Sequence, residues 1–226
     1  MNTRTAPKAR ARRPLSRKRV LRAAIEVADD GGIQALTMRR VGQRLRVEAM
    51  SLYNHVANKD DILDGIVDLV VSEFEMPTPG GDWRSEVRRC AIAAHAVLRR
   101  HPWMPALAES RVPTDGPRMA YYDALMRVLR EGGFSVRAAY RAGITLDSYL
   151  YGFALQEASW PTDAGELAEN AEAYFTGPVA ERYPYITAAG RLALDGIDLQ
   201  ADFEAGLEAV LDGLERLREE APTGAT

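Results

Sequence analysis

Two residues in the first third of the chain, Thr37 and Lys59, stand where side chains can hold an anion. Thr37 opens a short helical pattern, so its hydroxyl and the free backbone N–H groups behind it can bind an oxyanion, which the helix dipole also favours. Lys59 can do the same from the start of a later helix. Between the two, Val41, Leu45, Val47, Leu52 and Val56 are spaced to bury one face, leaving Ala49, Met50, Ser51, Tyr53, Asn54 and His55 toward solvent. Groups suited to proton transfer or nucleophilic attack are scattered: His95, His101, Glu157 and Cys90. No Gly-rich phosphate loop, no HExxH or CxxC spacing and no nucleophile elbow accompanies them. The chain therefore reads as a binding protein and not an enzyme, with no cofactor and no metal implied. Cys90, between Arg89 and Ala91 in a helical pattern, reads as a small packing residue.

The elements that must position these residues are helical. Ser16 looks like an N-cap, followed by Leu21, Ala24, Ile25 and Ala28 at helical spacing, and Asp29-Asp30-Gly31-Gly32 stops the run. Thr37 caps a second short helix to about Arg44, residues 45–47 read as a three-residue turn, and 48–54 as a third helix. Asn58 with Asp61 resembles a capping box opening a fourth helix, with Ile62, Leu63, Ile66, Leu69, Val70 and Phe74 on its buried side. A short helix, a turn and a second short helix packed on a longer first one is helix-turn-helix geometry. Residues 76–81, MPTPGG, are the clearest break. Helical patterns then run over about 82–100, 115–131, 135–159, 164–175 and 199–219, with strand-type alternation nowhere sustained. The fold class is all-α, with a basic disordered tail over 1–15, a helix-turn-helix domain over 16–75 and a larger helical domain over 82–220.

The net charge of −3 conceals an asymmetry: residues 1–46 hold 13 of the 29 Lys and Arg against three acids, a balance of +10, and the remainder carries −13. A basic head on an acidic body suits a chain that touches phosphate at one end, and equally a basic tail on an unrelated acidic domain. A single cysteine rules out an intrachain disulfide and suits the cytoplasm. No apolar run is long enough for a membrane helix.

Residues 36–66, LTMRRVGQRLRVEAMSLYNHVANKDDILDGI, resemble the DNA-binding domain of the tetracycline-repressor (TetR) family. The run SLYNHVANKDDIL is close to that family's LYxHVxxKxxLL segment. DWRSEVRR, HPWM, LDSYLYGFALQE and FEAGLEAVLDGLERL resemble its tetracycline-repressor-type C-terminal domain. One departure is Arg46, where the family usually has glycine before Val47; a non-glycine residue with positive φ costs roughly 1 kcal/mol.

The resemblance implies a transcriptional repressor, a homodimer on a pseudo-palindromic operator in double-stranded DNA, released by a small-molecule effector. Thr37, Arg39, Tyr53 and Lys59 would hold phosphates, with Arg46 adding positive charge close by. Ala49, Met50, Ser51, Asn54 and His55 would face base edges, Asn54 being able to pair adenine N6 and N7. The body would house the effector, with Trp103, Met119, Tyr122, Met126, Tyr149, Phe153, Gln156 and Glu157 as the candidate lining. Methionines and tyrosines suit an adaptable pocket. The family's namesake binds a magnesium-chelated drug, yet residues 107–127 contain no histidine to order a metal, so the expected ligand is largely apolar and metal-free. Phe203, Leu207, Val210, Leu211, Leu214 and Leu217 form a seam that needs a partner helix, and this helix with the one over 135–159 is the expected dimer interface. Small residues Ala138, Ala139, Ala142 and Gly143 would permit close approach. The alternative is a dimeric DNA-binding protein without an effector, marked by a solid core in place of a cavity.

Overall fold

The computed structural model describes residues 14–113, 115–159, 177–194 and 198–219. Most of the expected basic tail and all of the expected helix over 164–175 lie outside the described residues. The described residues form helices and connections, with no strand among them. Two compact units divide between Ile66 and Val67.

In the first unit, α1 (Arg17–Gly31) starts at Ser16, whose hydroxyl accepts the Arg19 N–H, and stops at Gly32 with φ 73°. Its buried face is Val20, Leu21, Ala23, Ala24, Ile25, Val27 and Ala28. α2 (Met38–Leu45) is capped by Thr37, whose hydroxyl accepts the Arg40 N–H. It closes at Arg46 in the left-handed conformation, φ 57° and ψ 46°. The segment Ala49–Asn54 is a 3₁₀-helix, not an α-helix. Asn58 accepts the Asp61 N–H at 2.8 Å at the start of α3 (Lys59–Val71). α1 meets α3 closely at Gly65, where a Cβ would lie 2.8 Å from the Leu21 methyls.

The second unit contains α4 (Trp83–Arg100), α5 (Met104–Glu109), α6 (Pro117–Glu131), α7 (Val136–Ser159), α8 (Gly177–Arg182), α9 (Pro184–Leu194) and α10 (Leu199–Glu219). Helix α5 falls where sequence reading finds only breaks. Pro105 sits in its first turn, where a missing N–H costs nothing, so proline here starts a helix. Four of the six seam residues of α10, Phe203, Leu207, Leu211 and Leu214, are at most 1% exposed within a single chain, whereas Val210 and Leu217 are half-buried. Arg84 pairs with Glu208 and Asp212, and Arg88 with Glu204 and Glu208, all at 2.7–2.8 Å, tying α4 to α10. The Tyr149 hydroxyl of α7 donates to the Phe203 carbonyl of α10 at 2.7 Å. Ala138, Ala139, Ala142 and Gly143 are likewise buried inside the chain, Gly143 closely against Met126. What α7 leaves outside is a different stripe, Val136, Tyr140, Ile144 and Leu155.

Candidate functional site

In the first unit the residues between Thr37 and Lys59 are organised by one close approach. A Cβ on Gly42 would lie 2.9 Å from the Val47 carbonyl oxygen and 3.3 Å from the Ala49 backbone, so α2 and the 3₁₀-helix nearly touch. The Val47 N–H donates to the Gly42 carbonyl at 2.9 Å, and the Arg46 N–H to the Gln43 carbonyl. Fully buried Val41 and Leu52 hold the two elements from inside. With three residues per turn, positions three apart share an edge of a 3₁₀-helix. Leu52 is therefore the inner edge, flanked by half-buried Ala49 and His55, and Met50 and Tyr53 form the outer one. Met50 is 74% and Tyr53 46% exposed, and Asn54 is also exposed, whereas Ser51 is half-buried.

Thr37, Arg39, Arg46 and Lys59 are exposed as well. Arg44 is engaged, pairing with Glu26 and Asp30 of α1. The other end is tied down by Arg17, whose guanidinium forks onto Asp61 at 2.6 and 2.7 Å; this bond holds the Asp61 carboxyl below its usual range, and the Ala57 N–H adds to it. The arrangement is a rigid basic surface with an apolar tip at Met50 and amide and hydroxyl groups beside it. Such a surface meets phosphates with its cations and base edges with its tip.

The second unit contains a cavity of about 30 Å³ between α4, α6, α7, α10 and the end of α3. Its wall includes Phe74, Cys90, Leu125 and Leu150, the four tyrosines 121, 122, 149 and 151, and the charged Arg118 and Asp147. Arg118 is 6% exposed and is held by the Asp68 carboxylate at 3.2 Å and the Arg111 carbonyl at 3.0 Å. Half-buried Asp147 accepts a hydrogen bond from the Tyr122 hydroxyl, which accepts one from Tyr151. Burial pushes the Asp147 carboxyl up to about 6; the Tyr122 bond opposes this and the Glu109 charge reinforces it. Burial also pushes Tyr122 to about 12 and the Cys90 thiol to about 11, which leaves that thiol protonated and unreactive at neutral pH. An outer cleft of about 200 Å³ is formed by residues 108, 109 and 111–113 and shares Arg118 and Tyr122 with the cavity.

Of the ligand residues expected from sequence, the cavity brings together Tyr122 and Tyr149. The other six stand elsewhere. Met119 is 45% exposed, Gln156 is exposed and Trp103 is buried beside His101. Met126 packs on Gly143, and Phe153 on His95 and Phe203. Glu157 binds His95 Nε2 at 2.7 Å and Arg99 at 2.9 Å, with the buried His95 ring stacked on Phe203 at 3.9 Å. This is a structural tie between α4, α7 and α10. Sequence reading misses Asp147, Tyr121, Tyr151 and Arg118. A signal existed for Asp147: it is the sole acid between Val136 and Gln156, and it shares a helical face with Leu150, Tyr151 and Ala154, all buried.

The sequence model for bacterial regulatory proteins of the tetR family matches residues 20–66, and that for the tetracyclin repressor-like C-terminal domain matches residues 76–218. The chain belongs to the tetracycline-repressor family. It is a DNA-binding transcriptional regulator built on an all-α fold. A helix-turn-helix transcriptional regulator of Saccharopolyspora erythraea is 33% identical over 88% of this chain and 84% of its own length. The class A tetracycline repressor of Escherichia coli transposon 1721 is 31% identical over 88% and 90%. The TetR-family protein ActR of Streptomyces coelicolor, solved in complex with actinorhodin, superposes with TM-score 0.78 at 30% identity, covering 92% of this chain and 99% of that one. ActR has also been solved without ligand, with TM-score 0.77. No helix among the described residues is long and apolar enough to cross a membrane.

Proposed function

We propose that this TetR-family chain is a cytoplasmic repressor, without enzymatic activity, that leaves its operator when a small, largely apolar ligand occupies the tyrosine-lined cavity of the second unit. One observation carries the reading: four tyrosines and two charged side chains converge on a cavity inside a domain resembling that of ActR, which has been solved with actinorhodin. Thr37, Arg39, Tyr53 and Lys59 hold phosphates, Arg46 adds charge, and Met50, Asn54 and the neighbouring Ala49, Ser51 and His55 face bases. Two copies associate through the apolar stripe of α7, since Val136, Tyr140, Ile144 and Leu155 are exposed.

The cavity volume matters to the choice between readings. At about 30 Å³ it holds one water-sized group, far below the roughly 300 Å³ or more of a small-molecule site. Ligand entry therefore requires Tyr122 and Arg118, which stand between cavity and outer cleft, to move. The small volume also favours the second reading, a dimeric DNA-binding protein with no effector. Electrophoretic mobility shift on DNA flanking the protein's own gene separates the two when repeated with a panel of lipophilic aromatic compounds. Release by at least one compound class at micromolar concentration is the expected result; binding that no compound disturbs selects the effector-free reading.

A further inference from the structure

The cavity is largely apolar, yet it contains a carboxylate that the fold does not need for packing. Among the described residues no lysine or arginine pairs with Asp147; its one side-chain hydrogen bond comes from Tyr122. The basic groups nearby are otherwise engaged. Arg118 is neutralised by Asp68 and capped by the Arg111 carbonyl, and Arg111 shares the outer cleft with Glu109. Asp68, outside the wall, pairs with Arg118, and Glu109 and Arg111 line the outer cleft together, which leaves Asp147 as the cavity's carboxylate without a cation of its own. A half-buried carboxylate without a cation is costly, and a ligand that brings the missing charge recovers that cost on binding.

We propose that Asp147, oriented by the Tyr151–Tyr122 hydroxyl chain, is the cation-binding end of the ligand site, so that the effector is an aromatic or otherwise hydrophobic molecule bearing a protonated amine. This deepens the ligand-gated reading above and rests on it. The two volumes suit the two parts of such a molecule: an ammonium group is about the size of the inner cavity, and a ring system suits the outer cleft beside Val112 and Pro113. Tyr121, Tyr122, Tyr149 and Tyr151 line the cavity with rings whose faces suit a cation and whose faces and edges suit an aromatic body. Asp147 is the group whose ionisation the site depends on. The titratable and charged groups that share the wall with it are Tyr121, Tyr122 and Arg118 from α6, Cys90 from α4, and Tyr149 and Tyr151 from its own helix, and Glu109 of α5 acts on it by its charge. Since burial moves its carboxyl to about 6, preference for a cation should be full at pH 7.5 and fade toward pH 5.

The test compares two fluorescent tricycles on the full-length protein without DNA: 9-aminoacridine, cationic at pH 7.5, and acridine, neutral at that pH. The wild type should bind the cation at least about tenfold more tightly, as expected of a charge-assisted hydrogen bond in a partly dry site. Asp147→Asn should remove the preference while leaving acridine affinity within about twofold. Tyr122→Phe, which keeps the ring and loses the orienting hydroxyl, should reduce it severalfold, and thermal melts establish that both variants fold. Equal binding of the two probes, or a preference that survives Asp147→Asn, overturns the inference and leaves the cavity as a site for neutral ligands. Binding of neither probe up to the solubility limit counts against the cavity as a ligand site, and so against the ligand-gated reading as well.

Discussion

Lys59 and Asn54 are five residues apart, both exposed, and should fail in different ways when removed. Lys59 is a compact cation on a flexible stem, suited to phosphate and blind to sequence. Lys59→Ala should weaken operator and nonspecific DNA alike and lower the salt slope by about one contact. Asn54→Ala should instead relax preference at one base pair, at a cost of roughly 1–3 kcal/mol on the right site. Equal losses on all sequences, measured by fluorescence anisotropy over a salt series, would remove this division of roles. Asp147 yields a stability prediction of opposite sign to the usual carboxylate. Its folded pKa lies above its unfolded value, so its contribution is greatest below about pH 4 and is lost as pH rises through about 6. Asp147→Asn keeps the acceptor for Tyr122 and removes the charge. The variant should therefore melt higher than wild type at pH 7.5, by the equivalent of about 2–3 kcal/mol, and match it near pH 4. A chemical-denaturation series at the two pH values checks this. Such a gain in the unliganded protein is what a residue retained for binding would show.

At the scale of the element, local rules place the first unit and tertiary contacts decide the second. Ser16, Thr37 and Asn58 each cap the helix that their residue type announces, because capping is settled within three residues. Arg46 takes the positive φ that the turn requires, with its N–H satisfied by Gln43. The helix expected over 48–54 tightens to 3₁₀ form, a distinction that hydrophobic spacing over six residues cannot make. In the second unit the apolar seam of α10 is legible, but its partner is not: periodicity says that a face is buried and is silent on whether α4 and α7 or another chain buries it. The role of Asp147 is illegible in the sequence for a related reason, since one acid in an apolar helix gains meaning only with Tyr122 of another helix beside it. The contact that most depends on an element is at Gly42. Adding a methyl there drives it into the Val47 carbonyl and the Ala49 backbone, neither of which can rotate away. Gly42→Ala should cost about 1–3 kcal/mol of stability and reduce operator affinity more than the change at any single exposed contact. Wild-type melting with wild-type operator affinity would mean that the turn has room that this packing denies it.

For the whole molecule, the apolar stripe of α7 implies association, and association sets what DNA is read. Ile144→Glu places a charge on an exposed, non-core position of that stripe, so it should leave the chain folded and shift sedimentation from dimer toward monomer. Operator affinity should fall with it, since two recognition elements related by a two-fold axis read half-sites about 34–36 Å apart, or a multiple, and one alone reads a single half-site. Undiminished operator binding by a monomer would sink the dimeric reading. The final question is whether release needs a metal. The class A tetracycline repressor is 31% identical to this chain, so tetracycline, with and without magnesium, is the competitor that must be tested. Magnesium demands near-octahedral oxygen ligands and keeps several waters. The wall of the cavity offers it a single carboxylate, Asp147, and among the described residues no group of three or more His, Cys, Asp or Glu is placed to hold a metal. Release is therefore expected from hydrophobic aromatic compounds in the presence of a chelator, with amine-bearing ones acting at the lowest concentration. A DNA-release titration decides it: release by tetracycline only when magnesium is added, with no compound acting in chelator, would show that the chain keeps a metal-dependent ligand site.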